Sequence, residues 1–522
     1  MTPGLILLLT ILYFGLIMTV AWWTGRKADQ RDFFIGGNKS PWFLVAFGMI
    51  GTSLSGVTFI SVPGVVGNLT SPNQQFGYMQ MVLGYLVGYA FIGVVLMPLY
   101  YRLKLTSIYT YLDQRFGNAT YKTGATFFLL SRTMGASFRI FLVTSVFQQF
   151  VLGPMGIHYA ITISATLILI WIYTAQGGIR TIVYTDAIQT FFMLLAVVIT
   201  LGFVMGELNM GWGGLRAAIG EAGLGKTFFF DGNSPAHFWR QFLTGAAIAT
   251  VMTGLDQDMM QKNNSCPNIR DAQKNMLSFS VILVFVNLIF VTLGAALYVY
   301  ASKTGFTLPE STDHVYPALA LQAFPTELGA VFIIGLIAAA FSSADSALTA
   351  LTTSFCVDIL GFPEGKAGSG QQAYTTTDSD SRKITRLAVH LSFSVLVLLI
   401  CYAIYAMARG DVLGNLFRAA GFTYGPLLGL YFFGLFTRRK IQDKFAPLVC
   451  ILAVCICLFF GGQDIIGSLL GMKPATIDGW KLLSKKILGG YVPGFELLIY
   501  NGILTSLGLW MISRPDHASL DY

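Results

Sequence analysis

Thirteen predominantly apolar stretches of roughly 20 residues or more run through this chain, at 3–24, 41–66, 74–101, 123–152, 157–175, 181–206, 238–261, 275–302, 326–360, 386–408, 412–437, 444–461 and 491–513. Each is long enough to cross the roughly 30 Å hydrocarbon layer of a bilayer as a helix. Lipid offers no partner to an exposed amide, so a spanning segment must satisfy its own backbone, and a helix does so within one stretch. The expectation is an all-α polytopic membrane protein with about 13 transmembrane helices. Charge agrees with this: only 11% of residues are Asp, Glu, Lys or Arg, against about 25% in a soluble domain. The 56 glycines suit close helix packing in lipid.

The net charge of +8 does not indicate nucleic acid, because its distribution is that of a topology signal. With the first span running from outside to inside, 21 of the 33 Lys and Arg fall on cytoplasmic segments and 8 on external ones. The other four, Arg132, Arg139, Arg240 and Arg418, lie within spans. Short loops rich in Lys and Arg stay on the cytoplasmic side. The N-terminus is therefore expected outside and the C-terminus inside. The first span is too long for a signal-peptide core and has no small-residue cleavage site, so it reads as a retained helix. Short loops without a targeting extension suggest a bacterial inner membrane. The six cysteines are scattered, with no CxxC or Cys/His cluster, which excludes the usual metal and disulfide patterns. No GxxxxGK[ST] loop and no appended soluble domain are present, which removes ATPase and kinase readings. Five unpaired His and no nucleophile–base set argue against an intramembrane enzyme.

The spans divide into a peripheral first helix with its inner loop (1–40), five helices (41–206), an external loop (207–237), five more helices (238–437, with a Gly/Ser/Thr/Asp-rich cytoplasmic linker at 362–385), and two peripheral C-terminal helices with a tail (438–522). Two five-helix halves of opposite orientation are the mark of transporters built from inverted repeats, in which the first helix of each half is broken near the midplane. The span 41–66 holds GMIGTSLSGVTF and the span 238–261 holds TGAAIATVMTG, and both are candidates for such breaks. The external loops at 207–237 and 462–490 carry amphipathic patches suited to short surface helices. SIYTYLDQRFG (107–117) is expected at the inner membrane surface.

The polar chemistry concentrates in GLIAAAFSSADSALTAL, residues 335–351. On a helix, Ala339, Ser342, Ser343 and Ser346 share one face. Two adjacent hydroxyls beside a small residue suit a hard monovalent cation, with the remaining oxygens supplied by carbonyls of an unwound helix. Serines also back-bond to their own helix, which is the plain structural alternative. Asp345, beside this face, is an ionisable residue at the centre of a membrane span, and such a residue is a functional candidate. It could bind Na⁺, bind H⁺ or pair with one of the four in-span arginines. Asp186, in GGIRTIVYTDAIQTFF (177–192), lies deeper than snorkelling requires.

GGIRTIVYTDAIQ resembles the GG-(L/I)-x-x-V-x-W-T-D-x-x-Q signature of the sodium:solute symporter family, with Tyr184 at the Trp position. GTSLSGVTFISVPG (51–64) is similar to that family's broken first core helix, AAAFSSADSALTAL to its sodium-site helix, GLDQDMMQK (254–262) to the close of its sixth core helix, and GFTYGPLLGLYFFGLFTRR (421–439) to its tenth. The likeness covers about 1–460. It implies a LeuT-type 5+5 inverted repeat and Na⁺-driven uptake by alternating access. It also implies a common Na⁺ site formed by the carbonyls of Gly51, Leu54 and Ala339 and the hydroxyls of Ser342 and Ser343. Some members have a second site, which here would fall on Asp186, Ser342, Asp345 and Ser346. The expected coupling ion is one Na⁺, or two if Asp345 strengthens that second site.

A solute site is expected between the broken helices. Ser53, Ser55 and Thr58 offer hydroxyls, Phe76 and Gln80 a ring and an amide, and Arg139 a guanidinium that holds a carboxylate bidentately. This set and its spacing resemble the sialic-acid branch of the family, whereas Val57 and Thr58 stand where the sodium/glucose branch has Glu and Gln. Arg139 could instead pair with Asp345 or Asp186, and Arg132, nearer the cytoplasmic half, reads as structural. The implied partners are a small carboxylated solute such as sialic acid and the lipid bilayer, with no nucleic acid and a functional monomer. The alternatives are a sugar, an amino acid or another monocarboxylate, or an uncoupled facilitator.

Overall fold

In the computed structural model, residues 3–25, 40–103, 105, 107–232, 234–362, 376–407 and 412–515 are described. They are almost wholly helical. The helices that matter for the site are α1 (Pro3–Gly25), α2 (Trp42–Ser53), α3 (Gly56–Val65), α4 (Tyr78–Phe91), α5 (Asn118–Phe147), α6 (Tyr159–Glu207), α7 (Phe238–Ala249), α8 (Gln257–Asn264), α9 (Ile269–Thr304), α10 (Thr326–Ser354), α11 (Thr376–Met407), α12 (Val412–Thr423) and α13 (Gly425–Phe436), followed by α14 (Ala446–Gly461) and α15 (Leu497–Met511).

Among the described residues, eight helices are long and apolar enough to cross a membrane, or up to ten if each bent pair, α2–α3 and α12–α13, is one span. Of the remaining expected spans, two lie on shorter apolar helices, Tyr159–Ile172 within α6 and α15, and the third on the broken pair α7–α8, whose second piece is polar. Peripheral helices α1 and α14 keep large apolar side chains at the surface, among them Leu12, Trp22, Leu448 and Ile451. Such a face suits lipid rather than water.

The breaks fall where the sequence weakens the helix. α2 and α3 meet at 56° across Leu54 and Ser55, which leave helical geometry before Gly56. α7 runs into a π turn at Thr250–Gly254, and the chain restarts as α8 after Leu255 and Asp256. Asp256 caps α8, its Oδ1 accepting the Asp258 amide at 3.0 Å. α12 and α13 bend by 46°, with Pro426 in the first turn of α13, where its missing amide costs nothing. Close approach of α4 and α7 rests on glycine: a Cβ on Gly84 or Gly245 would lie 2.0 Å from the carbonyl oxygen of Phe242 or Met81.

The serine-rich helix α10 is the centre of the bundle. It packs along α6, α5, α11 and α1, and nearly every residue from Leu336 to Ser354 is buried. Its polar residues therefore face protein.

Three expectations change. The linker at 362–385 lies outside the described residues over 363–375, but from Thr376 the chain is already helical. SIYTYLDQRFG holds a short helix, Thr110–Arg115, that is docked rather than merely surface-bound: Arg115 donates to the carbonyls of Gly434 (3.2 Å) and Thr437 (2.7 Å) at the end of α13. Lys262, counted above as a loop cation, is 1% exposed and sits inside the bundle; the bias becomes 20 to 8 and keeps its sign. The external loops at 207–237 and 462–490 do carry surface helices, at Trp212–Glu221 and Pro474–Ile487.

Candidate functional site

The end of α2 leaves carbonyls without helical partners, as every helix end does. Among the described residues, the carbonyls of Gly51 and Leu54 accept no hydrogen bond. Gly51 lies close to both α6 and α10, because it has no side chain: a Cβ there would lie 2.1 Å from Thr190 Oγ1 and 3.4 Å from Ser342 Oγ. Ser342 donates to Asp186 Oδ1 at 2.9 Å. With its proton directed that way, its lone pairs remain for another ligand. Ser343 donates back to the Ala339 carbonyl at 3.2 Å. Gly51 and Ser342, two of the five residues of the implied common Na⁺ site, thus meet where α2 packs on α10, and neutral oxygens such as carbonyls and hydroxyls suit a weakly held hard cation.

The residues of the implied second site also converge, but on an ammonium group. Lys262 Nζ, from α8, donates to Thr52 Oγ1 (2.6 Å), Asp186 Oδ2 (2.7 Å) and Ser346 Oγ (2.8 Å). Asp258 Oδ1 lies 3.5 Å from it. Thr52 in turn donates to Asp186 Oδ2 at 3.0 Å. All of these side chains are fully or almost fully buried. Asp345 is buried beside them, its Oδ1 accepting the Ser346 amide at 2.5 Å. A Na⁺ bound by Asp186 and Ser346 would have to share their oxygens with Lys262.

The four in-span arginines part company. Arg132 pairs with Asp258 and, at 3.5 Å, with Asp256, whose Oδ2 also accepts the Tyr424 hydroxyl at 2.9 Å. This ties α5, α8 and the α12–α13 bend together. Arg240 pairs with Glu496 at 2.5 Å, and Arg418 is exposed. Arg139, about two turns along α5 from Arg132, is 8% exposed and forms no ion pair among the described residues; its buried Nε has no hydrogen-bond partner. The expected alternative, pairing with Asp186, does not occur, since Lys262 holds that carboxylate.

Arg139 opens onto a narrow cavity of about 80 Å³ between the two broken helices. Ser53, Leu54, Ser55 and Thr58 line it from the first break, Met252, Thr253 and Met259 from the second. A wider cavity bounded by Ser145, Gln148, Asp313, His314 and Val412 lies farther along α5.

Phe76 and Gln80 are not among the residues lining the inner cavity. Gln80 is fully buried and fastens the external loop, donating to the Ala236 carbonyl (2.9 Å) and accepting the Phe229 amide (3.1 Å). Phe76 precedes α4, its amide bonded to the Lys226 carbonyl. The same helix instead contributes Tyr78, Tyr85 and Tyr89, and Asn287 and Phe417 join them. The spacing of the three tyrosines, seven and then four, puts them on one helical face, a signal legible in YMQMVLGYLVGY. Lys262 was likewise legible only as the last letter of a motif.

With this geometry in hand, comparison with known proteins gives consistent matches. The family model described as "Sodium:solute symporter family" matches residues 33–443. The sodium/sialic acid symporter NanT of Aliivibrio fischeri is 25% identical over 445 residues, covering 82% of each chain. The sodium/sialic acid symporter SiaT of Proteus mirabilis is 24% identical over 484 residues, covering 89% of this chain and 92% of that one. The solved structure of a Na⁺-coupled sialic acid symporter, in a substrate-bound outward-open state, superposes with a TM-score of 0.75 at 18% identity over 97% of both chains. The fold is therefore the LeuT type.

Proposed function

The chain belongs to the sodium:solute symporter family, a family of Na⁺-coupled transporters, and from that premise we propose that it takes up a small carboxylated solute, with sialic acid the named candidate. One Na⁺ binds at the carbonyls of Gly51, Leu54 and Ala339 and the hydroxyls of Ser342 and Ser343. The solute carboxylate binds Arg139, while Ser53, Ser55 and Thr58 meet its hydroxyl or amide groups. The carrying observation is Arg139: a buried guanidinium, without an ion pair among the described residues, opening onto the cavity between the broken helices. A buried cation of this kind gains a partner when a carboxylate arrives. Two relatives whose names specify sialic acid support the choice of solute.

Na⁺ bound at the end of α2 and on α10 joins the two repeats, 41–206 and 238–437, so its binding favours one arrangement of them over the other. The Lys and Arg bias supports an N-terminus outside, a C-terminus in the cytoplasm and residence in a bacterial inner membrane. The chain acts as a transporter rather than an enzyme, and as a monomer.

The test is uptake of radiolabelled N-acetylneuraminic acid into proteoliposomes with an inward Na⁺ gradient beside a K⁺ control. Uptake that requires Na⁺ is expected. Equal uptake in K⁺ would overturn coupling. Na⁺-dependent uptake of a neutral sugar in preference to the acid would overturn the carboxylate assignment.

A further inference from the structure

We propose that the ammonium of Lys262 is a tethered cation standing in place of a second Na⁺, so that this protein binds and moves one Na⁺ per solute. The inference rests on the Na⁺-coupled reading above and adds the stoichiometry.

Three oxygens from three helices converge on one nitrogen: Thr52 Oγ1 from α2, Asp186 Oδ2 from α6 and Ser346 Oγ from α10, at 2.6–2.8 Å. An ammonium has three N–H donors, and each finds one acceptor here. Hydroxyls beside a carboxylate are also what a bound Na⁺ would need, and Asp258 Oδ1, 3.5 Å from the ammonium, adds a second carboxylate to its surroundings. The ammonium therefore supplies the charge such an ion would supply, from the same place. A Na⁺ added to these oxygens would lie within a few ångströms of a like charge in a site screened from water, where repulsion is strong.

Stability alone gives a weak reason for the arrangement. A buried ion pair is often no more stabilising than apolar residues of the same volume. The position is more telling. Lys262 sits on α8, beyond the break at Leu255 and Asp256, and reaches α2 just before the break at Leu54 and Ser55. It thus clamps both broken helices to α6 and α10. Through Asp186 it also reaches the Na⁺ site proposed above: Asp186 Oδ1 accepts the Ser342 proton at 2.9 Å and so fixes how that hydroxyl presents its lone pairs. Because Lys262 neutralises Asp186, the carboxylate orients Ser342 without drawing in a second ion. In a chain lacking the ammonium, Asp186 would be a buried, uncompensated charge, and Na⁺ would be the available cation to restore balance.

The test counts ²²Na⁺ bound per purified full-length chain in detergent, which needs no solute. One ion per chain is expected for the wild type and for Lys262→Arg, and two for Lys262→Met. Two ions in the wild type, or one in a folded Lys262→Met protein, would overturn the proposal. If Lys262→Met fails to fold, the wild-type and Lys262→Arg counts still decide. No bound ²²Na⁺ in the wild type would instead refute Na⁺ coupling itself. In proteoliposomes the same proposal requires one ²²Na⁺ per N-acetylneuraminate in the wild type.

Discussion

Replacement of Arg139 by Gln isolates the charge on which solute recognition is argued. The guanidinium is 8% exposed, has no ion pair among the described residues, and lines the cavity between the two breaks. Gln keeps a hydrogen-bonding head on an unbranched stem but carries no charge. Removing one side of a buried, hydrogen-bonded charge pair costs about 2–5 kcal/mol. The cavity is partly open, so the lower half of that range applies, about 2–3 kcal/mol. At 1.4 kcal/mol per factor of ten, Arg139→Gln should raise the Kd for N-acetylneuraminate by about 30- to 150-fold. The bound protein alone should lose this energy. The free protein sheds an unpaired buried charge, so its thermal midpoint in detergent should not fall. Isothermal titration of the purified variant measures the affinity, and ²²Na⁺ binding to the same sample shows whether the α2–α10 junction is intact. A Kd within about threefold of wild type, with Na⁺ binding preserved, would refute the carboxylate clamp. So would equal wild-type affinity for an analogue whose carboxylate is reduced to an alcohol.

Three further outcomes follow from the same coordinates. In Na⁺-free buffer, Asp186→Asn and Lys262→Met should each cost about 3–5 kcal/mol, because each strands a buried charge; the double variant should recover most of the loss in a thermal-unfolding comparison, and additive losses would refute the pairing. Gly51→Ala places a methyl 2.1 Å from Thr190 Oγ1 and should weaken Na⁺ binding about tenfold by prising α2 from α6; adding Thr190→Ala, which removes that oxygen, should restore much of it in a ²²Na⁺ titration. Gln80→Ala leaves the Phe229 amide and the Ala236 carbonyl unpaired, so it should cost about 1–3 kcal/mol of stability while changing the KM for solute less than threefold; a large KM change with unaltered stability would return Gln80 to the solute site.

The surroundings of Phe76, Gln80 and Lys262 were not legible in the sequence, for one reason. Phe76 and Gln80 stand four apart, which fixes a shared helical face. Spacing does not say where the helix begins or which element covers that face. Here α4 starts only at Tyr78, and the loop residues Phe229 and Ala236 cover Gln80. Lys262 was counted with a cytoplasmic loop because hydropathy fades around it. The polar stretch is instead a helix inside the bundle, and its ammonium is buried because carboxylate and hydroxyl oxygens come to it from residues 76, 84 and 210 positions away in sequence.

By itself the sequence determined that the chain is a helical membrane bundle, since long apolar stretches leave the backbone no other way to satisfy its amides in lipid. It also determined where two of its helices break and that a hydroxyl pair shares a face with a small residue, because those are properties of short runs of chain. The tertiary structure alone decided which buried charge meets which. Arg132 and Arg139 lie seven residues apart on α5, yet one is held by Asp256 and Asp258 while the other opens onto a cavity. Asp186, an implied ligand of a second Na⁺, pairs with Lys262. Electrostatic pairing acts over a few ångströms between helices that the sequence sets far apart, and only packing brings those partners within reach.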